Sequence, residues 1–218
     1  AGGFGKRMRP ETNKTPKPML EVNGRPILEQ IIENVRDCGF KNIIITTHYL
    51  SEKITNYFKD GKQWGVNISY IHEKKPLGTA GSLGLIKKKI KKPIIVANGD
   101  VISDINFSEI LDYHNYHKAD ATMAVRIFER SNPFGVIDHD GILIKKITEK
   151  PIYKTTINSG IYVIGPKQIK TIKINQQYKM TDLFLEIKKL GKRTIVFPMH
   201  EAWRDIGSIQ DIEITKLK

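Results

Sequence analysis

The chain has 218 residues, 39% hydrophobic and 27% charged, proportions that exclude a fibrous or low-complexity class and allow one large globular domain. No apolar run approaches the ~20 residues a membrane-crossing helix needs. A net charge of +13 raises nucleic acid as a partner, but the lysines are spread along the chain and the aromatic residues sit at core spacing, so a lysine-rich solvated surface that attracts small anions is preferred, with neither nucleic acid nor membrane as partner.

The chain opens on glycines Gly2, Gly3 and Gly5, followed by Lys6, Arg7 and Arg9 and then Pro16-Lys17-Pro18. Glycines let successive N–H groups converge on an anion, and the cations add charge beside them. This loop reads as a phosphate cradle for a nucleoside triphosphate. From Pro26 to Cys38, apolar residues recur at helical spacing, with Pro26 in the first turn and Gly39 as the stop. Cys38, the lone cysteine, excludes an intramolecular disulfide, fits a reducing cytoplasm and reads as a packed thiol.

Residues 42–47 form a β-branched run expected to be a buried parallel strand. Ser51 is expected to cap a helix through Phe58, and Val66–His72 to form the next strand. The loop Leu77-Gly78-Thr79-Ala80-Gly81 is expected to open a helix running to about Lys91, and 93–98 to be another buried strand ending at Gly99-Asp100. Asn106 should cap a helix to about Lys118. This alternation predicts a doubly wound α/β domain with a mostly parallel central sheet.

The second half predicts a smaller, mixed or antiparallel part: a strand at 121–128, a hairpin around Asp140-Gly141, and a strand at 158–164. A helix at 181–190 capped by Thr181, a strand at 194–198 and a helix capped by Ser208 complete it. A phosphate loop of the opening kind hangs from the C-terminal end of a buried strand. At least one apolar strand is therefore expected ahead of residue 1.

Ligands of open α/β sheets bind at the carboxyl ends of the strands. The opening loop, 77–81, Gly99-Asp100 and Trp203–Gly207 all fall there. Asp100 is either a turn cap or a hard oxygen ligand for Mg²⁺, with Asp205 as partner carboxylate. The six histidines show no metal-ligand spacing, and no Ser-His-Asp or Cys-His constellation is present.

GGFGKRMRP…TPKPM resembles the signature of the sugar-1-phosphate nucleotidyltransferases (nucleotide-sugar pyrophosphorylases). Pro76–Gly81 resembles their LGTAG segment, Asn98-Gly99-Asp100 their metal-binding GD motif, and Glu149-Lys150-Pro151 their EKP motif. Asn158–Tyr162 resembles NxGIY, and Trp203–Gly207 resembles WxDIG. The matches run in order across essentially the entire chain. Within the family, residues 200–205 most resemble short bacterial hexose- or hexosamine-1-phosphate guanylyltransferases of the legionaminic acid pathway type, some of which carry an upstream regulatory domain. Lys6 stands where Thr is usual, Glu11 where Leu is common, and Ser159 where Ala is more frequent.

The resemblance implies a Rossmann-like, glycosyltransferase-A-type α/β fold in a single domain over 1–218. It implies Mg²⁺-dependent transfer of a nucleotidyl group from an NTP, GTP favoured, to a sugar 1-phosphate such as glucosamine 1-phosphate. Mannose- or heptose-1-phosphate guanylyl transfer, other bases, and a non-catalytic subunit of the same fold stand as alternatives. Arg7 and Lys17 would be catalytic, and Asp100 and Asp205 would hold the metal. Gly2, Gly3, Gly5, Lys6, Leu77, Gly78, Thr79, Gly81, Asn98 and Gly99 would bind the nucleotide, and Glu149, Lys150, Asn158 and Gly160 the sugar. A homo-oligomer is compatible with all of this.

Overall fold

The computed structural model describes residues 2–87, 90–208 and 211–212. A small hairpin, β1 (Glu21–Val22) and β2 (Arg25–Pro26), follows the opening loop and leads into α1 (Ile27–Asp37). Then come β3 (Asn42–Thr47), α2 (Ser51–Phe58), β4 (Asn67–His72) and the one-turn α3 (Gly78–Gly81). Next are β5 (Ile94–Ala97), β6 (Val101–Ser103) and α4 (Phe107–Tyr116). The second half holds β7 (Ala121–Ser131), β8 (Val136–Asp140), β9 (Leu143–Thr148) and β10 (Ile152–Ile164). It ends with α5 (Pro166–Ile169), α6 (Met180–Lys189), β11 (Thr194–Pro198) and β12 (Trp203–Asp205).

The α/β class holds, but the described central sheet is mixed. Its order is β11-β7-β10-β5, with β11 parallel to β7, and β10 antiparallel to both β7 and β5. A second parallel pair is formed by β3 and β4, in register from Asn42↔Asn67 to Thr47↔His72. No described strand lies between β3 and β5. For that reason β3 and β5 are not the fully buried strands expected: Ile44 is 39% exposed, and all four residues of β5 are half-buried.

Local differences have local causes. Asn106 caps α4 as expected, accepting from Ser108 N–H and Glu109 N–H. Ser51 and Thr181 do not cap. They lie inside their helices, and the N-cap positions fall to Leu50 and Lys179. The long helix expected after Leu77 is one α-turn followed by a 3₁₀ turn, Ser82–Leu85. Three glycines weaken a continuous helix there, and the segment instead presses its backbone on 172–178. A Cβ on Gly81 would lie 2.4 Å from the Gln176 carbonyl oxygen. The distal part of that expected helix, Lys88-Lys89, lies outside the described residues. Ser208 exchanges bonds with Asp211 as a helix start does, Asp211 N–H donating to Ser208 Oγ at 3.3 Å. The remainder of that helix also lies outside the described residues.

Apolar clusters sit on both faces of the central sheet. One packs α6 residues Leu183, Phe184 and Ile187 on Tyr162 and Ile164 of β10. Another packs α4 residues Phe107 and Ile110 on Ile161 and Val163. A third cluster joins α1, α2 and β3 through Leu28, Ile32, Ile45, Ile54 and Phe58. The fourth, Met8, Leu20, Val22, Ile27 and Ile206, ties the opening loop to the segment after β12.

Candidate active site

The opening loop is held by its own residues. Gly5 adopts φ +59°, which a side chain disfavours, and a Cβ there would lie 2.8 Å from Thr12 Cγ2. Thr12 is buried, and its hydroxyl donates to the Gly5 carbonyl at 2.9 Å. A 3₁₀ turn, Lys6–Met8, follows and drives Met8 into the core, so Arg7 beside it is left exposed. A later 3₁₀ turn, Lys17–Met19, buries Lys17 to 9% exposure. The Lys6 side chain lies outside the described set.

Strand register brings the carboxylates to this loop. β12 pairs antiparallel with β6, with Asp205 opposite Val101, the residue after Asp100. Ile206 N–H donates to the Asp100 carbonyl at 3.0 Å. Lys17 Nζ reaches Asp100 Oδ2 at 2.6 Å. Withdrawal of its carboxyl from water raises the Asp205 pKa, and the neighbouring Asp100 charge adds to this. Lys17 and Arg7 pull it back down. The four residues from three parts of the chain therefore share one electrostatic environment.

β12 is pinned from the second half. Trp203 Nε1 donates to the Ser159 carbonyl at 2.7 Å, and Arg126 lies 5.2 Å from the Trp203 ring centroid. Ser159 sits in a bulge of β10, where the register against β7 shifts between Asn158 and Tyr162. The bulge sets Gly160 at φ +78° against Asn98, whose Nδ2 would lie 2.8 Å from an added Cβ. Asn98 N–H donates to the Gly160 carbonyl at 2.9 Å. Asn158 accepts from Gly160 N–H and donates to Tyr162 Oη. Gly160 is thus part of the wall behind Asn98-Gly99-Asp100.

A cavity of about 800 Å³ opens onto this centre, lined by Gly2, Gly3, Gly5, Arg7, Lys17, Gly78, Thr79, Asn98, Gly99 and Asp100 among others. Leu77 and Gly81 are buried behind that surface. Thr79 Oγ1 accepts from Met180 N–H at 2.7 Å, which caps the start of α6. Glu149 and Lys150 are exposed at the root of the β8–β9 hairpin, Lys150 at φ +43°. No described contact joins them to Lys17 or Asp100.

Glu73 was missing from the sequence reading. It is 3% exposed, lines the cavity, and accepts from Leu77 N–H at 2.9 Å. Its other oxygen would lie 3.0 Å from a Cβ on Gly2. The signal available was its place at the end of a strand, five residues ahead of Gly78. Lys74 and Lys75, which follow it directly, obscure that signal. His48 Nδ1 lies 2.7 Å from the Glu73 carbonyl oxygen, and Phe4 packs edge-on against the His48 ring.

Hard carboxylate oxygens without nitrogen or sulfur donors suit Mg²⁺, which takes one or two carboxylates and completes its shell with phosphate oxygens and water. Asp100 and Asp205 fit that donor set. Among the described residues no cluster of three or more His, Cys, Asp and Glu side chains could hold a metal without substrate. Chemically, the site can receive a polyphosphate and neutralise its charge.

The family model for nucleotidyl transferases matches residues 1–217. A mannose-1-phosphate guanyltransferase of Pichia angusta is 34% identical over 222 residues. That match covers 96% of this chain, which spans 60% of the relative's length. HddC from Yersinia pseudotuberculosis superposes with a TM-score of 0.77 at 25% identity, covering 100% of this chain and 96% of that one. HddC complexed with GMP-PN superposes at 0.74 with 24% identity and the same coverage. With its glycine loop, Lys17–Asp100 pair and Asp205 in one site, the chain belongs to the nucleotidyl transferase family.

Proposed function

We propose that the chain transfers a nucleotidyl group from GTP to a hexose 1-phosphate, releasing pyrophosphate. The observation that carries this is the meeting of Lys17, Asp100, Asp205 and Arg7 at one end of a cavity that begins at the glycine loop. A sugar phosphate oxygen attacks the α-phosphorus in line. The new P–O bond forms as the bond from the α-phosphorus to the β-phosphate oxygen breaks, and pyrophosphate leaves with that electron pair. The nucleophile is already an anion, so no general base is needed.

The chain's residues position and neutralise. Lys17 bridges the incoming phosphate and the α-phosphate. Arg7 stabilises charge on the leaving pyrophosphate, and the N–H groups of Gly2, Gly3 and Gly5 line the triphosphate. Asp100 and Asp205 would hold Mg²⁺, which when bound supplies charge neutralisation to the reacting oxygens. Asn158, Gly160, Glu149 and Lys150 would face the sugar.

Glu73 supports guanine. A carboxylate accepts hydrogen bonds, and guanine presents two adjacent donors, N1–H and the N2 amino group. The Pichia relative's name supports the same base and points to mannose 1-phosphate, whereas the sequence resemblance points to glucosamine 1-phosphate. The test is pyrophosphate release with Mg²⁺ for each NTP against a panel of sugar 1-phosphates. Release with GTP and a hexose 1-phosphate is expected; release with UTP alone would overturn the base, and none with any pair would overturn the reaction.

A further inference from the structure

Thr194, Ala121, Ile164 and Ile94 form one row across the central sheet: Thr194 pairs with Ala121, and Ile164 with both Ala121 and Ile94. β11, β7 and β5 start at this row, and β10 ends on it. The chain stays in register just beyond it. Asp120 N–H donates to the Arg193 carbonyl at 2.8 Å, and Gly165 N–H to the Asp120 carbonyl at 2.9 Å. Asp100 follows the other end of β5, so this end of the sheet is the one remote from the active site.

The segments that meet at this remote end are basic. Lys91 and Lys92 precede β5, and Lys118 precedes β7. Lys167 and Lys170 follow β10, within and just after α5. Lys188 and Lys189 close α6, and Lys192 and Arg193 lead into β11. All are exposed. These nine cations stand against one carboxylate, Asp120, a balance of +8 in a chain of net +13. Asp120 is already engaged, accepting from Gln168 Nε2 at 2.6 Å and from Arg193 N–H at 2.9 Å. Glu186, the next acidic residue back along α6, is taken up by the Tyr178 hydroxyl. Among the described residues, none of the nine side chains takes part in an ion pair. Helix stability accounts for Lys188 and Lys189 in the last turn of α6, but not for Lys167 in the first turn of α5.

Two side chains with apolar bodies stand among these cations: Tyr116 at the end of α4 is 83% exposed, and Leu190 just past α6 is 61% exposed. We propose that this pole of the molecule docks on an anionic lipid surface. A polybasic surface is drawn to an anionic leaflet, each cation adding to the attraction. An exposed tyrosine and an aliphatic side chain at the level of the ammonium groups suit the headgroup boundary. The cations are lysines except Arg193, flexible point charges that match a fluid array of phosphates, whereas nucleic acid is read by arginine forks and stacked aromatics. Docking by this pole leaves the active-site cavity, at the far end of β5, open to solvent. The sequence expectation of no membrane partner rested on lysines spread along the chain; the strand register gathers them at one end.

The test is co-sedimentation of the 218-residue chain with vesicles of phosphatidylcholine alone or containing about 30% phosphatidylglycerol. Binding to the anionic vesicles only is expected, with release as NaCl rises from about 0.1 to 0.5 M and screens the charges. Lys188→Gln/Lys189→Gln/Lys192→Gln should weaken binding by about tenfold or more. Lys145→Gln/Lys146→Gln/Lys154→Gln, an equal loss of charge on exposed lysines of β9 and β10, should weaken it by about twofold at most. Melting temperature checks that each variant is folded, and Lys91→Gln/Lys92→Gln/Lys167→Gln repeats the test on other segments of the same pole. The proposal is overturned if the chain ignores the anionic vesicles, even while it retains duplex DNA. It is equally overturned if neutral vesicles bind as well, or if the β9–β10 variant loses as much binding as the folded pole variants.

Discussion

Lys17 and Asp100 lie 83 positions apart and meet at 2.6 Å, Lys17 nearly buried and the Asp100 side chain 32% exposed. The ammonium is held by a 3₁₀ turn fixed at Pro16 and Pro18, so it is placed before substrate arrives. Lys17→Ala is expected to lower kcat by about 10²–10³, the cost of removing one preorganised charge contact (about 2.7–4 kcal/mol). Steady-state pyrophosphate release measures this. A rise in the KM for nucleotide with kcat intact would reassign Lys17 to ground-state binding.

Gly160 couples the β10 bulge to the Asn98 loop. Gly160→Ala places a methyl 2.8 Å from Asn98 Nδ2 at φ +78°. The backbone term alone costs about 1–2 kcal/mol. The variant should melt at lower temperature and lose activity. An unchanged melting temperature would show that the bulge yields freely.

Glu73→Gln tests the base contact. Gln keeps an oxygen for Leu77 N–H but replaces the second acceptor with a donor. The kcat/KM for GTP is expected to fall by about 10- to 100-fold, as for a buried donor left unpaired. The preference for GTP over ITP, which lacks the 2-amino group, should narrow. Equal losses for both nucleotides would place Glu73 in loop structure only.

His114 is 2% exposed, and its Nδ1 lies 2.8 Å from Thr122 Oγ1. Burial lowers its pKa, opposed by the Asp120 charge. Above the unfolded value of about 6.5, His114 is neutral in both states. As pH falls from there towards the lower folded pKa, the unfolded chain gains a proton that the folded one refuses, and stability drops. Denaturant melts of His114→Gln should therefore be less acid-sensitive than wild type below about pH 6.5. Parallel curves would remove His114 as the cause.

Much of this was legible in the sequence because it is local. β3 and β11 match their expected bounds, and the Asn106 cap and the hairpin before Gly141 are short-range signals that tertiary context did not override. What was illegible depends on distant partners. The short α3 follows from contact with 172–178, the half-burial of β5 from its open edge, and Glu73's burial from the approach of Gly2. The site residues were named through motif order. Periodicity alone does not bring Asp205 beside Asp100; the β6–β12 register does.

The most direct measurement follows GTP labelled at its α-phosphorus, incubated with the chain, Mg²⁺ and a hexose 1-phosphate. The label is expected in a sugar-linked nucleoside diphosphate, with unlabelled pyrophosphate released in equal amount, and Asp100→Asn should abolish both. Label appearing in free GDP, or product formation that survives Asp100→Asn, would contradict nucleotidyl transfer at this site.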